Sequence, residues 1–409
     1  MVRFVVLFLS LWLTVLAYGQ AELTVLTGRV VSRQDGRALA HVSVSAPNER
    51  VSTVTNDDGG FLLKVPSRPT HITVSHLGYH TQRVSIGKKT EGLKVLLVPS
   101  AIMLADVVVS ANDPMDVVRA AISKIPENYQ LTPALMHCFY RETAQKGGRF
   151  IAVSEAVTDM YKTSYNHRTT HGDAVSIVKG RRLLSTRAKD TLGVKLMGGP
   201  VIPIMLDAVK NAELLLNEEE LGLYDLKSET PERIGDRAQY VISLKPRYRV
   251  DRPLFYGRLY IDQQTLTFTR VEIELDMDDR QLATDYMLVK KPRGLRFNPR
   301  KLSTVINYRT SAEDHLTRLS YVRNEMRFKC DWKRRLFASA YTVVSEMVVT
   351  EQVPADSVRR IRGRDSFGPR DYFYDQVNFF DDPDFWGAYN IIEPTESLEH
   401  AIDKLKKKR

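Results

Sequence analysis

The chain has 409 residues, with 59 Lys and Arg against 49 Asp and Glu, 43% apolar residues, 22 Gly, 18 Pro and 2 Cys. That balance excludes wholesale disorder and collagen-like architecture, and so few cysteines exclude a disulfide-stapled scaffold. A net charge of +10 is modest over this length and permits contact with anionic surfaces. No basic stretch interleaved with aromatics accompanies it, so nucleic acid is not an expected partner.

The N-terminus reads as an export signal. Arg3 precedes a nearly unbroken apolar run from Phe4 to Ala17, and Ala17-Tyr18-Gly19 offers small residues where a signal peptidase reads them. A run of that length reaches about 21 Å as a helix, short of the ~30 Å hydrocarbon core. Residues 1–19 are therefore expected to be removed, leaving Gln20 first. No Cys follows the run, so no lipoprotein anchor is expected, and no later window is apolar enough to span a bilayer. The expected location is the periplasm or the outer-membrane surface.

Residues 26–99 read as short strands separated by turn chemistry. Gln34-Asp35-Gly36-Arg37 predicts a hairpin turn with Gly at positive φ, and Val42/Val44 alternate with Ser43/Ser45. Asn56-Asp57-Asp58-Gly59-Gly60 is the strongest turn signal, with its short polar side chains placed to cap backbone donors. It feeds Phe61, Leu63 and Val65 at period two; Val74, Val84/Ile86 and Val95/Leu97 complete about seven strands, the pattern of an antiparallel β-sandwich. The carboxylates of the turn lack the spacing of an EF-hand, so no calcium is assigned to them.

The run Gly28-x-Val30, Gly36, Leu39, Val42-x-Val44, Thr55-Asn56-x-Asp58-Gly59-x-Phe61 and Val74-Ser75-x-x-Gly78-Tyr79 resembles the carboxypeptidase regulatory-like domain. The resemblance implies a transthyretin-like sandwich of the kind common in envelope proteins of Bacteroidetes-type bacteria. Leu104 to Val109 is similar to the stretch that leads from this module towards the plug in TonB-dependent receptors, but no plug or barrel follows.

Residues 100–131 read as a linker. Asp113-Pro114 is an N-cap and first-turn signal, and Val118, Ala121, Ile122 and Ile125 form one apolar stripe. A helix over 114–125 is predicted, stopped by Pro126. Residues 132–390 then read as a larger antiparallel β-rich domain with one or two helices. Its clearest strands are 149–157, 238–244, 257–261, 268–277, 302–308 and 337–349. Val271, Ile273, Leu275 and Met277 alternate with Glu272, Glu274 and Asp276, which predicts one dry and one wet face. Pro203 is expected to open a helix whose buried stripe is Met205, Ala208, Val209, Ala212 and Leu215. Residues 391–409 are expected to form a C-terminal helix with Leu398, Ala401, Ile402 and Leu405 on one stripe, followed by a basic tail.

Asn128-Tyr129, Phe139-Tyr140-Arg141-Glu142, Glu155-Ala156-Val157, Tyr161-Lys162, Phe385-Trp386 and Tyr389-Asn390-Ile391-Ile392 resemble phrases of envelope proteins that carry the regulatory-like module without a receptor barrel. The Gly257–Asp262 hairpin is similar to the lipoprotein-carrier (LolA-like) half-barrel.

Chemistry-bearing motifs are scarce. The nine His form no HExxH or HxxE pattern; His76/His80 and His167/His171 share i,i+4 spacing, but a Gly turn and Thr169-Thr170 argue against helices there. No GxSxG elbow exists, and neither Cys138 nor Cys330 sits in a nucleophile signature; the two form either one bridge or two separate buried thiols. No catalytic residue, metal ligand or cofactor is assigned. Two surfaces stand out instead. The stretch with Lys290, Lys291, Arg293 and Arg296 is basic throughout, suited to lipid phosphate or an anionic glycan, or else to protecting a sheet edge. The span 372–389 is aromatic, with Tyr372, Tyr374, Phe380 and Trp386 among carboxylates, suited to a sugar or partner protein, or else to anchoring the C-terminal segment. The expected function is a non-catalytic envelope protein, a binding or assembly accessory to TonB-type uptake. The alternatives are a lipid or lipoprotein carrier, which requires an unfilled apolar inner face, and a hydrolase with an unrecognised site.

Overall fold

The computed structural model describes residues 23–46, 50–100, 113–187, 190, 192–333, 337–369, 371–379, 382 and 384–406. The expected export signal, Leu104 to Val109, Phe380 and the last three basic residues lie outside them, as do the side chains of Tyr374 and Phe379.

The N-terminal strands are β1 (Thr24–Ser32), β2 (Ser43–Ala46), β3 (Val51–Val54), β4 (Gly60–Val65), β5 (His71–Ser75), β6 (Gln82–Ser85) and β7 (Leu93–Leu97). They form two layers, β4-β1-β7 and β3-β2-β5-β6. The period-two residues face inward as expected: Val42, Val44, Phe61, Leu63, Val65, Val74, Val95 and Leu97 are all buried in one cluster. One pairing departs from the antiparallel expectation, since β1 runs parallel to β7. The turn at residues 56–60 is held by the Asn56 carboxamide oxygen, which accepts the backbone N–H groups of Asp58 (3.0 Å) and Gly60 (2.8 Å). Gly59 sits at φ +78°, where a Cβ would lie 2.6 Å from the Val30 carbonyl, so this position requires glycine.

The linker helix α1 (Pro114–Ser123) starts where Asp113 caps the Met115 N–H at 2.8 Å. Its stripe lies on the larger domain, in that domain's main core. Pro126 does not end the helical run as expected. The chain re-enters a short helix, α2 (Ile125–Asn128), because a proline in the first turn sacrifices no hydrogen bond.

The remaining elements are β8 (Ala134–Lys146), β9 (Arg149–Lys162), β10 (Ala174–Leu184), β11 (Lys195–Leu196), α3 (Ile202–Met205), α4 (Glu218–Leu221), β12 (Tyr224–Ser228), β13 (Glu232–Ile234), β14 (Arg237–Pro246), β15 (Phe255–Asp262) and β16 (Phe268–Leu275). They continue with α5 (Arg280–Met287), β17 (Leu288–Lys290), β18 (Leu295–Thr310), β19 (Thr317–Trp332), β20 (Ser339–Gln352), β21 (Asn378–Phe379) and α6 (Glu396–Lys406). The large sheet follows the order β12-β14-β15-β16-β18-β19-β20-β8-β9-β10-β21. β20 also meets β3 at Val51 opposite Glu351, so one layer of the sandwich continues into it.

One face of this sheet carries the main core. α1, α2, α3 and α5 cover it through Val118, Ile125, Ile204 and Ala283, which meet Cys138, Tyr140, Leu259 and Ile306. On the opposite face Phe139, Val157, Tyr321 and Val348 are sealed by Val54, Trp386 and Ile392, and Val153 and Leu183 by α6. Strands β8, β9, β19 and β20 are thus buried on both sides.

The expected helix from Pro203 is corrected. Only one turn forms, α3, followed by an irregular stretch and a 3-10 turn at Ala212–Leu214. Met205 is exposed and Ala212 only partly buried, while Ala208, Val209 and Leu215 are buried. The helix stops because Asp207 turns inward to a buried Lys162, and Asn211 donates to the freed Met205 carbonyl at 2.8 Å.

Candidate functional site

The two surfaces singled out in the sequence meet at one end of the large sheet. β17 delivers Lys290 into a short ladder with β11, where it lies opposite Lys195. The Lys195 ammonium stands 3.6 Å from the centre of the Tyr372 ring, a cation–π contact that joins the aromatic segment to the basic edge. Beyond β17 the chain turns through Lys291 and Arg293, both exposed, and enters β18 with Arg296 pointing outward between buried Leu295 and Phe297.

The end of the next hairpin completes the site. Leu295 pairs with Trp332, and the Lys333 N–H donates to the Gly294 carbonyl at 3.3 Å, which sets the end of β19 beside the 293–294 turn. Phe337, on the β19–β20 connection, is 83% exposed, and Val289 on β17 is exposed as well. Among the described residues no carboxylate lies within ion-pair distance of Lys290, Lys291, Arg293, Arg296 or Arg300. The patch rests on a rigid base, the stacked rings of Phe297, Phe328 and Tyr341, with centroids 4.8 and 5.5 Å apart.

The aromatic span divides. Tyr372 is exposed at the basic end, but Trp386, expected among the surface residues, is only 6% exposed and does not contribute to it. Its ring meets Phe139 edge-on at 5.3 Å and lies under the Arg181 guanidinium at 4.8 Å. Phe373 likewise packs edge-on against Tyr140 at 5.2 Å. These rings anchor the segment, because an irregular stretch has no periodic face to hold it down. Lys195 and Phe337 were not singled out from sequence. Lys195 has no local pattern, whereas Lys333-Arg334-Arg335-Leu336-Phe337 carries a readable signal, a basic triplet followed by two apolar residues.

Several buried polar groups pair with one another inside the fold. Lys162, Asp207, Asp173 and Lys210 form a buried network in which Lys162 Nζ reaches Asp207 at 2.6 Å, and Tyr165 and Tyr308 donate to the same carboxylate at 2.8 Å. Burial opposes the charge on Lys162, but Asp207 and Asp173 outweigh it and hold its pKa above the ordinary value. Lys210 goes the other way, brought down to about 8 by burial. Across β8–β9, His137 Nδ1 faces Asp159 at 2.6 Å, and that hydrogen bond raises the imidazole pKa. Among the described residues no hydroxyl or thiol hydrogen-bonds its other ring nitrogen, and the neighbouring Cys138 thiol is pushed far up by burial. Both cysteines are free and buried, which selects separate thiols over a bridge. Among the described residues no three His, Cys, Asp or Glu converge as metal ligands. His76 and His80 diverge at the Gly78 turn, His80 reaching Asp236 at 3.0 Å.

No helix among the described residues is long and apolar enough to cross a membrane. No curated protein matches the chain. Among solved structures it is similar to a DUF1329 family protein from Desulfovibrio piger, with 10% identity over 61% of this chain and 96% of that one and a TM-score of 0.29. It is also similar to a LolA superfamily protein from Nitrosomonas europaea, with 12% identity over 58% of this chain and 96% of that one and a TM-score of 0.20. Residues 26–109 match the family model of the CarboxypepD_reg-like domain, and the N-terminal sandwich is a domain of that family.

Proposed function

We propose that this protein is a non-catalytic accessory of the cell envelope that docks on an anionic, phosphate-bearing surface through the basic end of its large sheet. The supporting observation is the convergence of Lys290, Lys291, Arg293 and Arg296 with the Lys195–Tyr372 contact and the exposed Phe337. Cations without internal carboxylate partners keep their charge available, and a protruding aromatic ring enters a headgroup layer. The regulatory-like sandwich serves as a rigid companion on the opposite side of the β20 junction. A place beside TonB-type uptake rests on the resemblance of residues 26–98 and 104–109 to modules of such receptors.

A carrier would need an empty apolar hollow of about 300 Å³ or more to take an acyl chain. Here the inner face is filled by Val118, Ile125, Ile204 and Ala283, which favours surface docking over cargo holding.

Co-sedimentation with phospholipid vesicles tests the reading. Binding is expected to anionic vesicles and not to neutral ones, and Lys290→Glu, Lys291→Glu and Arg293→Glu together should weaken it by on the order of 100-fold at about 1 kcal/mol per basic residue. Equal binding by the triple variant would remove the proposal's support. Binding to phosphorylated glycan but not to lipid would move the partner from the bilayer to the envelope polysaccharide.

A further inference from the structure

A cleft lined by other residues than those of the basic end lies at the junction of the sandwich and the large sheet. Where the sandwich faces the large sheet, this cleft of about 90 Å³ opens between β2, β5, the start of β16, the end of β18 and the start of β19. Its walls mix apolar side chains, such as Val54, Leu77, Ile234 and Val348, with polar ones. Ser43 and Ser75 stand opposite each other across the β2–β5 ladder, and Arg309 comes from β18.

Several neighbouring donors are already committed. Arg270 is held by Glu272 at 2.7 Å and Asn307 at 3.0 Å; the Ser320 hydroxyl donates to the Asn307 carbonyl, and those of Ser52 and Thr53 to the Val349 and Ile391 carbonyls. Arg309, Ser43 and Ser75 are different: among the described residues their side chains have no hydrogen-bond or ion-pair partner. Arg318, which faces Arg309 across the β18–β19 ladder, is met by Asp314 at 3.0 Å, so it offers no compensation. Burial, with Arg318 pushing the same way, brings the Arg309 pKa down to about 10, and the group remains charged at neutral pH.

A partly buried guanidinium without a counter-ion is costly unless something supplies the negative charge. We propose that this cleft binds a tetrahedral oxyanion, the phosphate group of a small phosphorylated ligand, with Arg309 holding two oxygens and the Ser43 and Ser75 hydroxyls donating to the others. The cleft has room for one such group, and an organic remainder would extend from its mouth. A carboxylate has two oxygens and would leave one wall of donors unused. Because the donors come from both the sandwich and the sheet, the bound anion ties the two together.

The experiment is a calorimetric titration of inorganic phosphate into the full chain, with thermal unfolding followed in parallel. Saturable binding and a raised unfolding midpoint are expected for the unaltered chain. Arg309→Gln should lose affinity by at least ~10-fold and, without phosphate, unfold no earlier than the unaltered chain because an uncompensated charge has gone. If that variant fails to fold, the Ser43→Ala, Ser75→Ala chain, which keeps all charges, is expected to bind severalfold more weakly. The Lys290, Lys291, Arg293 triple variant should bind phosphate normally, separating this cleft from vesicle docking. No saturable binding, undiminished affinity in the cleft variants, or acetate binding as tightly as phosphate would each overturn the assignment.

Discussion

Asp207 has no exposed surface, yet its two oxygens receive Lys162, Tyr165, Tyr308 and the Lys210 backbone N–H. A carboxylate can be buried only when its charge and lone pairs are both answered, and here they are answered by three separate stretches of chain. Asp207→Asn leaves the Lys162 ammonium without its main partner. The expected cost is about 3–5 kcal/mol, read as a lowered midpoint in urea unfolding. A loss below ~1 kcal/mol would mean the network behaves like a surface pair. None of this is legible in the sequence, where Lys162, Asp173 and Asp207 are separated by turns, strands and a helical turn with no shared period. By contrast, the role of Asn56 as a turn cap was legible, because the groups it caps are two and four residues away.

Individual elements depend on how local their cause is. α1 starts at Pro114 as its cap signal implies, and α6 buries Leu398, Ile402 and Leu405 but begins at Glu396 instead of 391, because the residues before it hydrogen-bond to the sandwich. β19 was not singled out although it spans sixteen residues. Its Arg323, Glu325 and Arg327 mask the alternation, and they are tolerated because Glu325 pairs with both arginines, at 3.0 and 2.6 Å. The C-terminal segment shows the opposite case: it has no period, and hydrogen bonds between side chains and backbone groups hold it. Asn390 grips Lys64 on the edge of β4, accepting its N–H at 2.6 Å and donating to its carbonyl at 2.8 Å. Ile391 receives Thr53, Ile392 receives Arg141, and Pro394 receives Asn56. Asn390→Ala is expected to lower stability by about 1–3 kcal/mol. It should also raise protease sensitivity in the segment, which limited proteolysis and mass spectrometry will locate. Unchanged cleavage would show that the aromatic anchors suffice alone.

At the scale of the whole molecule, the sandwich and the large sheet are joined by charge as well as by strand pairing. His41 Nε2 lies 3.2 Å from Asp57 and 3.5 Å from Glu346 of β20, and its ring stacks on Tyr321 at 5.5 Å. Burial works against the imidazolium, but the two carboxylates outweigh it and raise the pKa above its usual value. Burial likewise pushes Glu346 up, yet His41, Arg141 and Arg323 bring it down to about 2. The histidine contribution is complete below the unfolded imidazole value and lost as pH rises through the folded one; the Glu346 contribution is lost only as pH falls towards 2. The His41 contact therefore adds to the thermal midpoint near about pH 5.5 and not near about pH 8.5, against His76 and Lys210, whose lowered values of about 4 and about 8 favour the higher pH. Relative to the midpoint at the higher pH, the midpoint at the lower pH should fall in His41→Asn, a residue that tolerates the φ of +57° found there. An equal pH response in the variant would detach this contact from the junction.

The sequence by itself determined the seven-strand module, its Asn-Asp-Gly turn, the two amphipathic helices and the β character of the larger region. All of these arise from interactions within a few residues or from the two-fold period of a half-buried strand. Only the tertiary structure decided that Trp386 goes inside, that Lys290 and Tyr372 share a surface, and that Arg309 stands without a counter-ion. Those outcomes depend on which distant strands become neighbours, and the charge or ring that a side chain meets across a ladder is not encoded in the residues beside it.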